Sequence, residues 1–465
     1  MTQFKDKSVL VLGLGETGLS LARWLSAQDA RVRVADSRAN PPGLDVLQRD
    51  CPQADIRCGA FDDSLLQGVE RIAISPGVPM ADPFVQRAIA RGIPVEGDIE
   101  LLAQQLATGA PSKVIAITGA NGKTTVTSMV EHLCKAAGKD AVAAGNISPA
   151  VLDVVLQRGA KQPEVWVLEL SSFQLETTFS LNADAATVLN VTEDHLDRYA
   201  GMDDYAAAKA RIFQGDGVQV LNRDDVRSMG MALPGRRVVT FGLDAPRNGN
   251  DWGIAQDGAD IWLVQGNERL LRAAELQVTG LHNVANALAA LALCRAIDLP
   301  MPALLAALRS FKGLPHRVER VAEIEGVTYY DDSKGTNVGA TEAALKGLGR
   351  KAVVILGGEG KGQDFSPLNP AVAQHARAAV LIGRDAPLIE AALQGCGVPL
   401  LRATDMGDAV RQASRLAQRG DAVLLSPACA SFDMFRNYAH RAEVFIAAVR
   451  DLQKHVLSSV EGGAA

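Results

Sequence analysis

The chain has 465 residues, 48% of them hydrophobic, and a formal net charge of −6. That length exceeds one core and suggests roughly three domains. The acid excess argues against nucleic acid as the main partner, because a phosphate backbone calls for a basic stripe.

Strand-like and helix-like runs alternate from end to end, which predicts α/β domains with mostly parallel sheets. The N-terminus runs straight into a strand without a signal-peptide apolar region, and no apolar run approaches the ~20 residues of a membrane span. A cytoplasmic protein without membrane insertion is expected. Ser8–Leu12 reads as a strand, Thr17–Ala27 as a helix and Arg31–Ala35 as a second strand closed by Asp36. Gly13-x-Gly15-x-x-Gly18 joins the first two, and Asp36 follows 23 residues after Gly13. At face value this is the dinucleotide fingerprint, so an NAD-dependent dehydrogenase is a live reading. A turn at a helix N-terminus can equally hold the diphosphate of a UDP-sugar, with Asp36 accepting from base or ribose. Arg71–Ser75 is another strand, and the helix Ile99–Leu106 leads to a linker at 108–112, which bounds a first unit, 1–108.

The second unit, 109–313, opens with the most informative segment. The β-branched strand Val114–Ile117 stops at a turn containing Gly119 and Gly122, and Lys123 and Thr124 begin a helical pattern that runs to Gly138. Strand, glycine loop and helix in that order hold a nucleotide triphosphate. The glycines let backbone N–H groups approach phosphate oxygens, the helix start adds its dipole, Lys123 adds charge and Thr124 offers a hydroxyl to Mg²⁺. Only two residues separate the glycines here, against four in the common phosphate loop. Further on, Glu169 follows the strand Val165–Leu168, where a carboxylate can bind Mg²⁺ that also touches phosphate. His195 lies beside Asp194, beyond the strand Ala185–Val191; on the residues alone a structural and a functional histidine stand level. Lys209 sits among alanines in the helical run Asp203–Phe213, and the residues alone favour a solvated lysine. Asn283–Ala296 reads as a long, largely buried helix.

A hinge-like Lys312-Gly313-Leu314-Pro315 leads into the third unit, 314–465, where the strands Val353–Leu356, Ala379–Ile382 and Ala422–Leu425 each end in a turn. The tail from Gly462 is expected to be disordered. Six cysteines form no Cys-x-x-Cys pair, so neither a zinc site nor a redox motif is expected. Cys134, Cys294 and Cys396 read as small core residues in helices, which fits a reducing compartment.

The loop Ile117-Thr-Gly-Ala-Asn-Gly-Lys-Thr-Thr125 resembles the nucleotide loop of the Mur ligases, which add amino acids to the peptide stem of the peptidoglycan precursor. The resemblance continues in Gly145-Asn146-Ile147, Glu169-Leu-Ser-Ser-Phe-Gln-Leu-Glu176, Asn190-Val-Thr-Glu-Asp-His-Leu-Asp197, Gly280-Leu-His-Asn-Val-Ala-Asn-Ala287, Gly313-Leu-Pro-His-Arg317, Asp332-Ser-Lys-Gly-Thr-Asn337, Gly357-Gly-Glu-Gly-Lys361 and Leu425-Ser-Pro-Ala-Cys-Ala-Ser431. These stand in order over nearly the whole chain and resemble the D-glutamate-adding branch.

The resemblance implies an α/β fold of three domains: a Rossmann-like N-terminal domain for a UDP substrate, a central P-loop ATPase domain with a mostly parallel sheet, and a Rossmann-like C-terminal domain for the amino acid. It implies the reaction ATP + UDP-N-acetylmuramoyl-L-alanine + D-glutamate → amide product + ADP + phosphate, through an acyl phosphate, with two Mg²⁺ ions and a monomeric enzyme. Gly119, Asn121, Gly122, Lys123, Thr124, Thr125, Asn283, Asn286, Arg317 and Asp332 are implied for ATP. Thr124, Glu169, His195 and a carbamylated Lys209 are implied for metal. Gly15, Thr17, Asp36, Ser37, Arg38, Ser75, Asn146 and Ser171 fall to the UDP substrate, and Thr336, Lys361, Ser431 and Tyr438 to D-glutamate. Lys123, Lys209, His195 and Asp194 are the catalytic candidates, the last two as acceptors of the ammonium proton. Two departures stand out: Glu16 lies in the first glycine turn where the family often has an apolar residue, and Tyr438 stands where Phe is expected. Other readings are a sister Mur ligase for a different amino acid, a folylpolyglutamate synthetase, the dehydrogenase, and a nucleotide-binding regulator without activity. No Asp-Asn-Pro-Arg segment of the diaminopimelate-adding kind is found.

Overall fold

The computed structural model describes residues 3–109, 111–194 and 198–462; His195 and the end of the tail lie outside them. Three sheets follow one another along the chain. The first is wholly parallel, in the spatial order Asp55–Cys58, Arg31–Asp36, Ser8–Leu12, Arg71–Ile74, Val95–Glu96. The second has nine strands, and its parallel centre is Val218–Asn222, Ala185–Val188, Lys113–Thr118, Val165–Glu169, Ala141–Gly145. In the third, Val327–Asp331, Ala422–Leu425, Ala352–Gly357, Ala376–Ile382 and Leu400–Arg402 are parallel, and Glu319–Ile324 adds an antiparallel edge. Val9–Leu12, Val165–Leu168 and Val353–Leu356 are each buried without interruption, as parallel strands covered by helices on both faces must be.

The domains are not equally joined. One apolar cluster runs from Trp24 and Leu101 in the first domain to Leu152, Trp166 and Leu175 in the second. The third domain has two clusters of its own, one around Val354 and Leu381, the other around Tyr329 and Phe445.

Four features depart from the sequence reading. The strand expected to reach Val191 stops at Val188, because the Val191 N–H turns to the Asp225 carboxylate (2.9 Å). The α-helix expected to reach Phe213 ends at Ala210 and tightens into a 3₁₀ turn, Arg211–Phe213. Cys396 is buried, but it lies in a turn between Gly395 and Gly397, whose φ of +79° each stops a helix. The antiparallel ribbon Trp252–Asp257, Asp260–Gln265, Glu268–Arg272 was not foreseen, although Asp257-Gly258 between its first two strands is a hairpin signal.

Candidate active site

The loop after Lys113–Thr118 is built from backbone. Gly119 and Gly122 have φ of +154° and +83°, and a Cβ at Gly122 would sit 2.9 Å from Asn286 Oδ1. Asn121 is held on all sides: its N–H donates to Asn190 Oδ1 (2.8 Å), its carbonyl accepts from Asn190 Nδ2 (3.0 Å), its Nδ2 donates to Thr192 (3.1 Å), and its Oδ1 accepts from Asn337 of the third domain (3.0 Å). The helix Lys123–Ala136 starts immediately after, with its N-terminus toward the cavity described next.

A cavity of ≈ 810 Å³ lies between the second and third domains. Asn121, Gly122, Lys123, Thr124, Thr125, Asn146, Glu169, Asp194, Asn283 and Asn286 line it from the second. Arg317, Asp332, Thr336, Lys361 and Tyr438 line it from the third. Lys123 Nζ donates to the carbonyls of Gly119 (2.7 Å) and Ala120 (2.9 Å). Burial pushes its pKa down, and the charge of Glu169 opposes that shift. Glu169 is buried; Oε1 accepts from Asn146 Nδ2 (3.0 Å), while Oε2 has no donor among the described residues.

Lys209 is not the solvated lysine that its neighbours suggest. It is 1% exposed, its Nζ donates to the Gly119 carbonyl (3.1 Å) and lies 4.4 Å from the Tyr205 ring centroid. Burial and then the repulsion of Lys123 hold its pKa well below the usual amine range, against the pull of Asp194. Alanine neighbours let the helix lie close enough for this, although alanines alone suit a solvated helix equally well.

The third domain contributes more than was foreseen. Burial raises the pKa of Asp332 to about 7, although it accepts from Ser426 Oγ (2.7 Å). Lys334 also lines the cavity, with Nζ 4.0 Å from the Tyr438 ring centroid; burial, then Arg317, lowers its pKa to about 8. Lys334, Asn337 and His316 were missed, though all three lie inside segments already singled out by resemblance. Ser431 is buried and lies outside this lining. The Ser171 hydroxyl is used in the capping box of the helix Ser172–Glu176 with Gln174, so the structure does not bring Ser171 to the cavity wall either.

The glycine turn of the first domain is a separate place. A Cβ on Gly18 would collide with the Gly13 carbonyl, whereas one on Gly15 would meet nothing. Gly18 therefore serves close packing and Gly15 faces open space, beside Thr17 on the first turn of the helix Glu16–Ala27. Asp36 is buried, and its carboxylate accepts from the Leu14 N–H (2.7 Å) and from Arg38 Nε and Nη2 (2.8 and 2.7 Å). Arg38 beside it holds its pKa down to about 2. Ser37 is at the edge of a second cavity, ≈ 430 Å³, with Phe61, Val78 and Phe84. Ser75 is buried against Gly13. Glu16 is exposed, and it accepts from Ser148 Oγ of the second domain (2.6 Å).

Comparison with known proteins agrees with this layout. Three family models match in order: the Mur ligase N-terminal domain of the D-glutamate-ligase-like type at 7–97, the Mur ligase middle domain at 117–294 and the Mur ligase glutamate ligase domain at 316–429. UDP-N-acetylmuramoylalanine--D-glutamate ligase of Methylobacillus flagellatus is 61% identical over 459 residues, 99% of this chain and 100% of that one. The enzyme of the same name from Nitrosospira multiformis is 59% identical, over 97% and 96%. Among solved structures, UDP-N-acetylmuramate-alanine ligase of Thermotoga maritima superposes with a TM-score of 0.60 at 18% identity, over 96% of this chain and 99% of that one, a likeness of fold.

Proposed function

We propose that this chain, which belongs to the Mur ligase family, joins D-glutamate to UDP-N-acetylmuramoyl-L-alanine using ATP, in peptidoglycan precursor synthesis. The observation that carries the reading is the shared cavity: the phosphate loop forms one wall and Thr336, Lys361 and Tyr438 the other. The choice of amino acid is that of the full-length relatives, which are D-glutamate ligases by name.

A carboxylate does not react with an amine at neutral pH, because oxide would have to leave. Phosphorylation by ATP gives an acyl phosphate whose leaving group is phosphate. Lys123 and Arg317 place positive charge where the phosphoryl group transfers, with Gly119, Asn121, Thr125, Asn283, Asn286 and Asp332 around the nucleotide. The residues fit a magnesium ion, since Glu169 Oε2 is a buried acceptor without a donor among the described residues and Thr124 lines the same cavity. We assign Thr124 and Glu169 to one ion, and His195 with a carbamylated Lys209 to a second. Bound there, magnesium neutralises charge on the phosphoryl oxygens. Lys209 suits carbamylation because burial disfavours its charged form and favours the amine: a bond forms from nitrogen to the carbon of CO₂, a proton is released, and a carboxylate results. Mass spectrometry of fresh protein, with and without added bicarbonate, tests it.

The first domain takes the UDP end in this reading, with Gly15 and Thr17 at the diphosphate and Ser37, Ser75 and Arg38 at the uridine. Asp36 fixes Arg38. Asn146 and Ser171 lie toward the muramoyl path, and Lys361, Thr336, Ser431 and Tyr438 receive D-glutamate. Closure of the third domain on 311–317 would exclude water from the acyl phosphate; its separate apolar clusters and the φ of +84° at Gly313 support that motion. Small-angle scattering should show compaction with an ATP analogue and UDP substrate. A cytoplasmic monomer belongs to the same reading; among the described residues no helix is long and apolar enough to cross a membrane.

The deciding experiment is ADP release with UDP-N-acetylmuramoyl-L-alanine and each of D-glutamate, L-glutamate, diaminopimelate and L-lysine. D-glutamate alone should support release in step with a new amide. A different acid winning would mean a sister ligase, and no release with any would end the ligase reading.

A further inference from the structure

His316 has a backbone conformation that a non-glycine residue avoids, φ +63°. Such strain persists only where the surroundings over-determine it, and here they do. The His316 N–H donates to Glu319 Oε2 (2.9 Å), its carbonyl accepts from the Lys334 N–H (3.2 Å), and its ring stands edge-on to Tyr438, centroids 6.2 Å apart. Nδ1 is 2.7 Å from Asp331 Oδ2. Asp331 is fully buried, and its other oxygen accepts from the Ser333 N–H (2.9 Å). Ser333 is itself clamped by the buried Arg441, which donates to its hydroxyl (3.0 Å) and its carbonyl (2.7 Å). A carboxylate used as an acceptor on both oxygens fixes the imidazole tautomer: Nδ1 carries the hydrogen, and Nε2 carries the lone pair. The ring lines the large cavity with Lys334, Thr336, Lys361 and Tyr438, and among the described residues no bond to Nε2 is found. A base held by a buried acid at the wall where the amino acid enters is the arrangement general-base chemistry needs.

We propose that His316, oriented by Asp331, is the general base that takes the proton from the ammonium of the incoming amino acid. The proposal rests on the ligase reading. The Nε2 lone pair accepts one proton from R–NH₃⁺ and leaves R–NH₂. The amine lone pair forms the C–N bond at the acyl carbon, the bond from that carbon to the bridging oxygen breaks, and the oxygen leaves with phosphorus as phosphate, which takes up the second nitrogen proton. The imidazolium then returns its proton to solvent. Asp194 is a poorer candidate, because its charge acts on two lysines, Lys123 and Lys209. The charged and titratable groups around the ring are Asp331, Glu319, Tyr438, Lys334, Arg317 and Asp332.

The test uses two nucleophiles with the full-length enzyme. Hydroxylamine is mostly unprotonated at neutral pH and needs no base to capture the acyl phosphate; D-glutamate does. His316→Gln should lower D-glutamate ligation by about 10²–10⁴-fold while hydroxamate formation stays within a few fold. Raising the pH should restore ligation by the variant more steeply than by the natural enzyme. Asp331→Asn, which spoils the tautomer, should lose kcat rather than raise KM for D-glutamate. Equal loss with both nucleophiles, or a variant whose ligation is unaffected, overturns the base role. A natural enzyme that makes no hydroxamate and no ADP would instead overturn the ligase reading.

Discussion

Two strand–turn–helix units in this molecule look alike in sequence and differ in what surrounds them. The turn at Gly13–Gly18 is closed by packing: Gly18 touches the Gly13 carbonyl, and the acid that ends the next strand, Asp36, is satisfied by Arg38 and a backbone amide. The loop at Gly119–Lys123 is charged and unfinished by comparison, with the half-buried Lys123, the buried Lys209 and a Glu169 oxygen that lacks a donor among the described residues. The lesson is that glycine spacing specifies a turn shape and the adjoining strands specify its chemistry. A neutralised acid suits a turn that only needs to receive a ligand. Uncompensated charge suits a loop that must stabilise a reacting one.

The contrast can be broken most forcefully at Lys123. Lys123→Ala should cut ADP formation by about 10²–10³-fold and leave binding of the UDP substrate, by calorimetry, nearly unchanged; loss of both together would mean the two sites are one. Next in size, Gly18→Ala should cost about 1–3 kcal/mol in urea unfolding by overpacking. Gly15→Ala should cost less than about 1 kcal/mol and act instead on KM for the UDP substrate, because its Cβ enters open space. The two substitutions having the same effect would erase the division between packing and ligand glycines.

Acid–base behaviour sharpens the comparison further. The Asp332 pKa is raised to about 7 in the folded protein against 3.8 ordinarily. Its contribution to stability is complete below about pH 4 and is lost as pH rises through 7. Asp36, lowered to about 2, contributes above about pH 4 and loses that contribution as pH falls through 2. Unfolding midpoints across pH should therefore flatten between 4 and 7 in Asp332→Asn, and below 4 in Asp36→Asn. The smallest effect is expected from Glu16→Gln, within about 0.5 kcal/mol of stability, because the exposed side chain keeps an oxygen that can accept from Ser148 Oγ.

Most elements were legible because their residues point one way: β-branched runs such as Val114–Ile117 and Val353–Leu356 can only be covered strands. The phosphate loop was legible because its glycines, lysine and threonine act through local geometry. The Lys209 environment was not, since a helix among alanines can be solvated or sunk and only tertiary packing decides. The hairpin ribbon at 252–272 escaped although its Asp-Gly turn is local, because its short strands are only partly buried and mix apolar with polar residues. His316 escaped for a deeper reason: Asp331 and Ser333 lie in one later segment and Arg441 in another, and no spacing rule joins them to the histidine.

One consequence of the four bonds held by Asn121 concerns binding thermodynamics. A flexible glycine loop would have to freeze when nucleotide arrives, and that ordering would subtract from affinity. Here the freezing happened during folding, through Asn190, Thr192 and Asn337. Nucleotide meets a mould that is already cast, so little of its binding enthalpy is diverted to ordering the loop. Because Asn337 is part of that mould, loosening the third domain should be felt at the phosphates as a gain in loop entropy.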